Sequence, residues 1–261
     1  MMLNLKKVLS MGIFCVSLLF SINASAHYMW LNVNDYTPAE DRIAMFTIGW
    51  GHHFYNPVAD ILHGKDRVGE TYLIDPDGKK KEIESVNESQ YESADKLSAG
   101  TWTAMVHRKE GFSTKTTDGY KYQSKKGLKN VIYSRYLGMY GKAIINSGKS
   151  SKDDSALKPV GVALELVPTV NPANLKEGDY FTFKLLFKGK PIAEPVYATY
   201  VGFSTDDAWA YSSRTDAKGE GKIKILKSGI WVIKTNHKAP YPNQEEADEY
   251  SFTTSLTFEI K

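Results

Sequence analysis

The chain is almost without cysteine: Cys15 is the only one in 261 residues, and it lies in an apolar run near the start. That run, residues 8–22, follows Lys6 and Lys7 and leads to Ala24-Ser25-Ala26, the small-x-small pattern of a signal-peptide cleavage site. Removing residues 1–26 leaves 235 residues and no thiol. Disulfides, thiolate metal ligands and a cysteine nucleophile are thereby excluded from the mature protein. The run is also too short for a stable membrane anchor. No Leu-x-small context precedes Cys15, so a lipoprotein is not expected. The expected location is the periplasm.

A charge excess is missing too. The chain has 33 basic and 30 acidic residues, and loss of Lys6 and Lys7 leaves a mature balance of about +1. Such a surface has no nucleic-acid footprint. The lysines at 79–81 and 125–126 read as solvated turns. Equally absent are a Gly-x-Ser-x-Gly elbow, a phosphate-cradling glycine loop and a dinucleotide fingerprint.

What the chain does have is period-two alternation with β-branched and aromatic residues at the alternating sites. It predicts strands at 28–33, 42–49, 70–75, 80–85, 101–107, 162–167, 180–188, 196–200, 221–226, 229–235 and 251–260. Asp75-Pro76-Asp77-Gly78 is a tight-turn signal for a hairpin. Between 130 and 142, Tyr133, Tyr136, Leu137 and Tyr140 recur at spacings of three and four, which fits a short helix or a Tyr-rich strand. Residues 148–159 are small, charged and without apolar period, and mark a boundary. The expectation is an all-β chain of two β-sandwich-like domains: residues 27–147, with histidine-bearing loops, and 160–261. The second carries Thr215-Asp216-Ala217-Lys218-Gly219 and Ser228-Gly229 turns between alternating strands. It resembles the prealbumin/immunoglobulin-like sandwiches used as accessory modules in exported proteins.

Six histidines are available, and His27 stands out. Cleavage after Ala26 would give one residue both a free α-amine and an imidazole, a chelating pair for Cu, Ni, Co or Zn. His52 and His53 follow Gly49-Trp50-Gly51; in an extended chain their side chains point to opposite sides, so one of them faces any given site. His107 and His237 end predicted strands, and His63 sits between Leu62 and Gly64. The candidate metal ligands are therefore His27, His52, His53, His107 and His237. Met29, Met45, Met105 and Met139 offer thioethers, but their scatter suits core filling. Glu245, Glu246, Asp248 and Glu249 form a hydrophilic loop expected to be solvated.

Several segments together carry a resemblance. They are His27-Tyr28-Met29-Trp30-Leu31, Gly51-His52-His53-Phe54, Arg135-Tyr136 through Lys142-Ala143, Leu164-Glu165-Leu166-Val167-Pro168 with Asn171-Pro172, and Gly189-Lys190-Pro191. Thr215-Asp216-Ala217-Lys218-Gly219, Gly229-Ile230-Trp231, His237 and the ending Ala247-Asp248-Glu249-Tyr250 with Leu256-Thr257-Phe258-Glu259 complete the set. In this order they resemble a bacterial exported family of undefined function, grouped by name with the periplasmic component of ABC-type cobalt and nickel uptake systems. The resemblance implies a periplasmic protein that handles a divalent transition metal, with a β-sandwich second half; the leading reading is a non-enzymatic carrier of nickel or cobalt, and imidazole donors suit copper or zinc as well. The resemblance also implies an inner-membrane ABC-type transporter as partner, and carries over His27, His52 and His237 as site residues. Tyr55 intervenes before Asn56-Pro57, where the family has proline directly after its Gly-His-x-Phe segment. Two other readings compete: a copper carrier or oxidative polysaccharide-cleaving copper enzyme using the terminal histidine, and a non-catalytic interaction module.

Overall fold

The computed structural model describes residues 27–54, 67–148, 155–206 and 208–261. The expected signal segment 1–26, His63, Tyr55-Asn56-Pro57 and residues 149–154 of the expected boundary lie outside the described residues. What is described is all-β, with two short 3-10 turns and no α-helix.

The first half contributes β1 (Tyr28–Val33), β2 (Met45–Gly51), β3 (Val68–Ile74), β4 (Lys80–Ser85) and β5 (Gln90–Ser93). Then come β6 (Gly100–Thr116), β7 (Gly119–Lys121) and β8 (Val131–Ser147). The second half adds β9 (Leu164–Pro168), β10 (Tyr180–Phe187), β11 (Lys190–Pro191) and β12 (Pro195–Tyr200). It closes with β13 (Tyr211–Arg214), β14 (Glu220–Lys224), β15 (Gly229–Pro240) and β16 (Glu249–Ile260). The Asp75–Gly78 signal is the turn between β3 and β4: Asp75 Oδ1 accepts the Lys79 N–H at 2.8 Å, and Gly78 takes φ 82°.

Residues 131–142 resolve as strand. β8 spends its alternating side chains on two cores, and a helix has only one such face to offer. Tyr140 and Ile144 enter the core of the second half, while Ala143 and Ile145 enter that of the first. β8 pairs antiparallel with β6 and parallel with β16, so one twelve-stranded sheet runs β1-β2-β5-β4-β3-β6-β8-β16-β15-β12-β13, with β7 on β6. The four-stranded sheet, β11-β10-β14 with β9 on β10, closes a sandwich over β8, β16, β15 and β12. Phe181 stacks on Phe258 at 4.5 Å across that core. Each half thus has its own core, and the backbone ladder is continuous between the halves. From residue 155 onward, the expected boundary is anchored: Ala156 is buried and Ser155 Oγ donates to the Thr101 carbonyl at 2.7 Å.

β16 fixes the place of β1. Its even residues Phe252, Leu256 and Phe258 fill the sandwich core, and its odd residues from Ser251 to Thr257 carry hydroxyls. Ser255 Oγ donates to the Met29 carbonyl at 2.6 Å, and Thr257 Oγ1 to the Leu31 carbonyl at 2.7 Å. Among the described residues, β1 has no strand partner on that side, and the hydroxyls satisfy its carbonyls in a place closed to water. The first strand is therefore pinned at both edges, by β2 and by the hydroxyl row of β16.

Two surface expectations change. Asp248 is an anchor: its carboxylate accepts the Ser134 N–H at 2.6 Å and the Lys125 ammonium, whose hydrogen bond holds the acid below its ordinary range. Lys126 meets Glu245 at 3.4 Å. The lysine turn and the acidic loop, read from sequence as separately solvated, hold one another. The reason is that β16 runs beside β8, which no local pattern encodes.

Candidate metal centre

The β1–β2 register sets Tyr28 opposite Gly51 and Met29 opposite Trp50. Extending that register by one residue sets His27 opposite His52. Their ring centroids are 4.3 Å apart with planes tilted by 43°. The His27 ring also stacks on Trp50, the diagonal neighbour, at 5.9 Å. Gly51, at φ 144°, takes a backbone conformation open to glycine, and the chain bends after it. His53 is carried to a T-shaped position 6.4 Å from His52. Of the adjacent pair, His52 is the one in ring contact with His27.

Tyr28, Phe54, Asp206 and Trp209 line the pocket on which His52 opens. The Lys234 ammonium sits over the Tyr28 ring at 4.6 Å and the Trp209 ring at 5.6 Å. Asp206 is the acidic residue that sequence reading missed; it belongs to the other half of the chain, and nothing local marks it. Among the described residues no three His, Cys, Asp or Glu side chains converge into a metal-holding group. The described donors are thus two imidazoles. A third nitrogen, the α-amine, joins them where the chain begins at His27.

The other sequence candidates have different neighbours. His237 Nδ1 lies 2.7 Å from Glu194 Oε1, and its ring packs on Phe187 at 4.4 Å. His107 Nε2 accepts the Glu70 N–H at 3.2 Å. Met29 and Met105 are core residues, whereas Met45 is exposed.

Burial pushes the His107 imidazole below its ordinary value of 6.5, against the opposing pull of Glu70 and Glu110. The folded state then binds fewer protons than the unfolded chain as pH falls through that ordinary value, so stability declines on acidification. The substitution His107→Gln puts an amide oxygen in the place of Nε2 and leaves nothing there to titrate. Urea unfolding of wild type and His107→Gln from pH 7.5 to 5 is expected to give curves that diverge below about pH 6.5, the variant being flatter. Parallel curves would remove His107 as the cause.

With this geometry in view, the family model described as "Domain of unknown function (DUF4198)" matches residues 24–239. No curated protein is similar to the chain in sequence. Among solved structures, murine CEACAM1b is 10% identical, covering 89% of this chain and 98% of its own, with a TM-score of 0.22. The D0-D1 domain of intimin is 9% identical over 90% of this chain and 100% of its own, at 0.22. A DUF4785 family protein of Legionella pneumophila is 8% identical over 81% of this chain and 53% of its own, at 0.27.

Proposed function

This chain belongs to the DUF4198 family, whose function is unknown, and from that premise we propose that it is a periplasmic carrier of a divalent transition metal. The cargo is nickel or cobalt, and the receiving partner is an inner-membrane ABC-type transporter. The single observation that supports the reading is the His27–His52 pair, 4.3 Å between rings, at the end of a strand pinned along both edges. With the amine of a chain starting at His27, the pair supplies three nitrogen donors, a set suited to Ni, Co, Cu and Zn. Three protein donors leave positions open, as capture followed by release requires. Protons compete for the imidazoles and the amine, so loading weakens in acid. Neither nucleic acid nor a reaction on the metal enters this reading.

The same three nitrogens suit Cu(II), which raw affinity favours over nickel and cobalt. That is the specific ground for the second reading, a copper carrier or copper oxidative enzyme. Titration of Ni(II), Co(II), Cu(II) and Zn(II) by calorimetry separates these, using the chain starting at His27, the same chain with one extra residue in front, and His52→Ala. We expect the extra residue and His52→Ala each to weaken binding at least tenfold. Selective retention of copper, with peroxide-driven cleavage of a polysaccharide, would shift the function to the second reading. Equal binding by all three proteins, or none by the native start, leaves a non-catalytic interaction module.

A further inference from the structure

A second cluster of polar side chains lies between β3, β6 and β8 on one side and residues 160–163 with Lys188 on the other. They enclose a cleft of about 510 Å³, within the size range of small-molecule sites. Two β-bulges build its floor. β3 gains one residue on β6 between Val68 and Thr71, and β6 gains one on β8 between Arg108 and Gly111. A bulge re-aims side chains that regular pairing would direct elsewhere. Here each bulge carries a glutamate, Glu70 in the first and Glu110 in the second, and both line the cleft with His107 between them.

The polar groups are fixed before any ligand arrives. The Glu70 N–H occupies His107 Nε2, so the neutral imidazole carries its proton on Nδ1 and is a donor. Gly69 makes that contact possible, since a Cβ there would stand 2.3 Å from Nε2. The Tyr140 hydroxyl donates to Glu110 Oε1 at 2.5 Å, and burial holds that phenol well above its ordinary range. Glu110 also reaches Tyr136, which packs against Tyr241 at 5.6 Å toward the surface. Charge in the cleft is matched: Glu70 pairs with Lys80, and Lys188, which donates to the Tyr250 hydroxyl at 2.8 Å, stands with residues 160–163 on the wall opposite Glu110.

Fixed acceptors, a fixed donor, aromatic faces alongside and balanced charge together suit a neutral ligand rich in hydroxyls. We propose that this cleft binds a neutral saccharide, with Glu70, Glu110 and His107 meeting its hydroxyls and Tyr72, Val162 and Ala163 its apolar faces. The site is independent of the metal reading.

Amide NMR of the labelled mature protein, titrated with cellobiose, maltose and N,N′-diacetylchitobiose, tests the proposal. At least one is expected to give saturable shifts centred on Gly69, His107 and Glu110. Glu110→Gln should weaken that binding at least tenfold, and Ala163→Trp, which fills the cleft from its wall, should abolish it. The same spectra report whether each variant is folded. Three outcomes overturn the proposal: no saturable shift with any of the three, shifts centred elsewhere, or wild-type binding by both folded variants. Binding of glucosamine or a uronate alone would also overturn it, because a charged ligand contradicts the matched charge.

Discussion

Glu165→Gln is expected to destabilise the protein by about 3–5 kcal/mol, the usual cost of orphaning one member of a buried ion pair. Lys142, on β8, and Glu165, on β9, are both nearly inaccessible, with Nζ and Oε1 2.5 Å apart. Burial pushes the lysine down and Glu165 pulls it back up. The carboxylate also accepts the N–H groups of Val160 at 2.7 Å and Gly161 at 3.0 Å. Glutamine would keep one acceptor oxygen for Lys142 and Val160 but remove the charge that offsets the buried ammonium, and it would turn an amide N–H towards the Gly161 N–H. For a domain of this length the loss corresponds to a fall in melting temperature of roughly 6–20 °C. Replacing both residues together, Lys142→Met with Glu165→Leu, should recover much of it, since an apolar pair of similar size tolerates burial. Guanidinium unfolding of the single and double variants decides the matter; a loss below about 1 kcal/mol for Glu165→Gln would mean that water reaches the pair.

Gly49→Ala is expected to cost about 1–3 kcal/mol, the range for overpacking a closed core, and Trp30→Ala about 3–5 kcal/mol. The Trp30 indole is fully buried and lies across Gly49, its partner in the β1–β2 register. A Cβ at Gly49 would stand 2.0 Å from Cε2 of that ring. The ring has little room to move, because Tyr28 packs on one side at 4.9 Å and Phe54 approaches at 5.9 Å. In a double-mutant cycle, Gly49→Ala should cost less when Trp30→Phe has made room. Additive losses would show that the ring and the glycine act separately. Since His27 immediately precedes the strand that carries Trp30, Gly49→Ala is also expected to weaken metal loading, measured by the same calorimetry.

The fold class was legible because alternation is a local property. Leu164-Glu165-Leu166-Val167 and the Asp75–Gly78 turn announce strand and hairpin from neighbours alone. The run at 130–142 was ambiguous for a physical reason: β8 feeds two cores, Tyr136 and Tyr140 entering one and Met139 the other, so apolar residues fall on both faces and mimic helical spacing. The hydroxyls of Ser255 and Thr257 look, on period two, like a solvent face. They are buried because β1, at the other end of the chain, needs donors for its carbonyls.

For the candidate site, the sequence by itself determined the donor types: no thiol among the described residues, and an imidazole on the residue just ahead of β1. It also placed the two glycines, Gly49 and Gly51, that precede the histidine pair. Only the tertiary structure decided which imidazole meets His27, because strand register follows from the packing of Met29, Leu31, Phe46 and Ile48 in one core, and a slip of one residue would turn every side chain over. It decided as well that His107 lies between two glutamates in a cleft of its own. A bulge is a single extra residue in one strand of a pair, and it has meaning only relative to the partner strand.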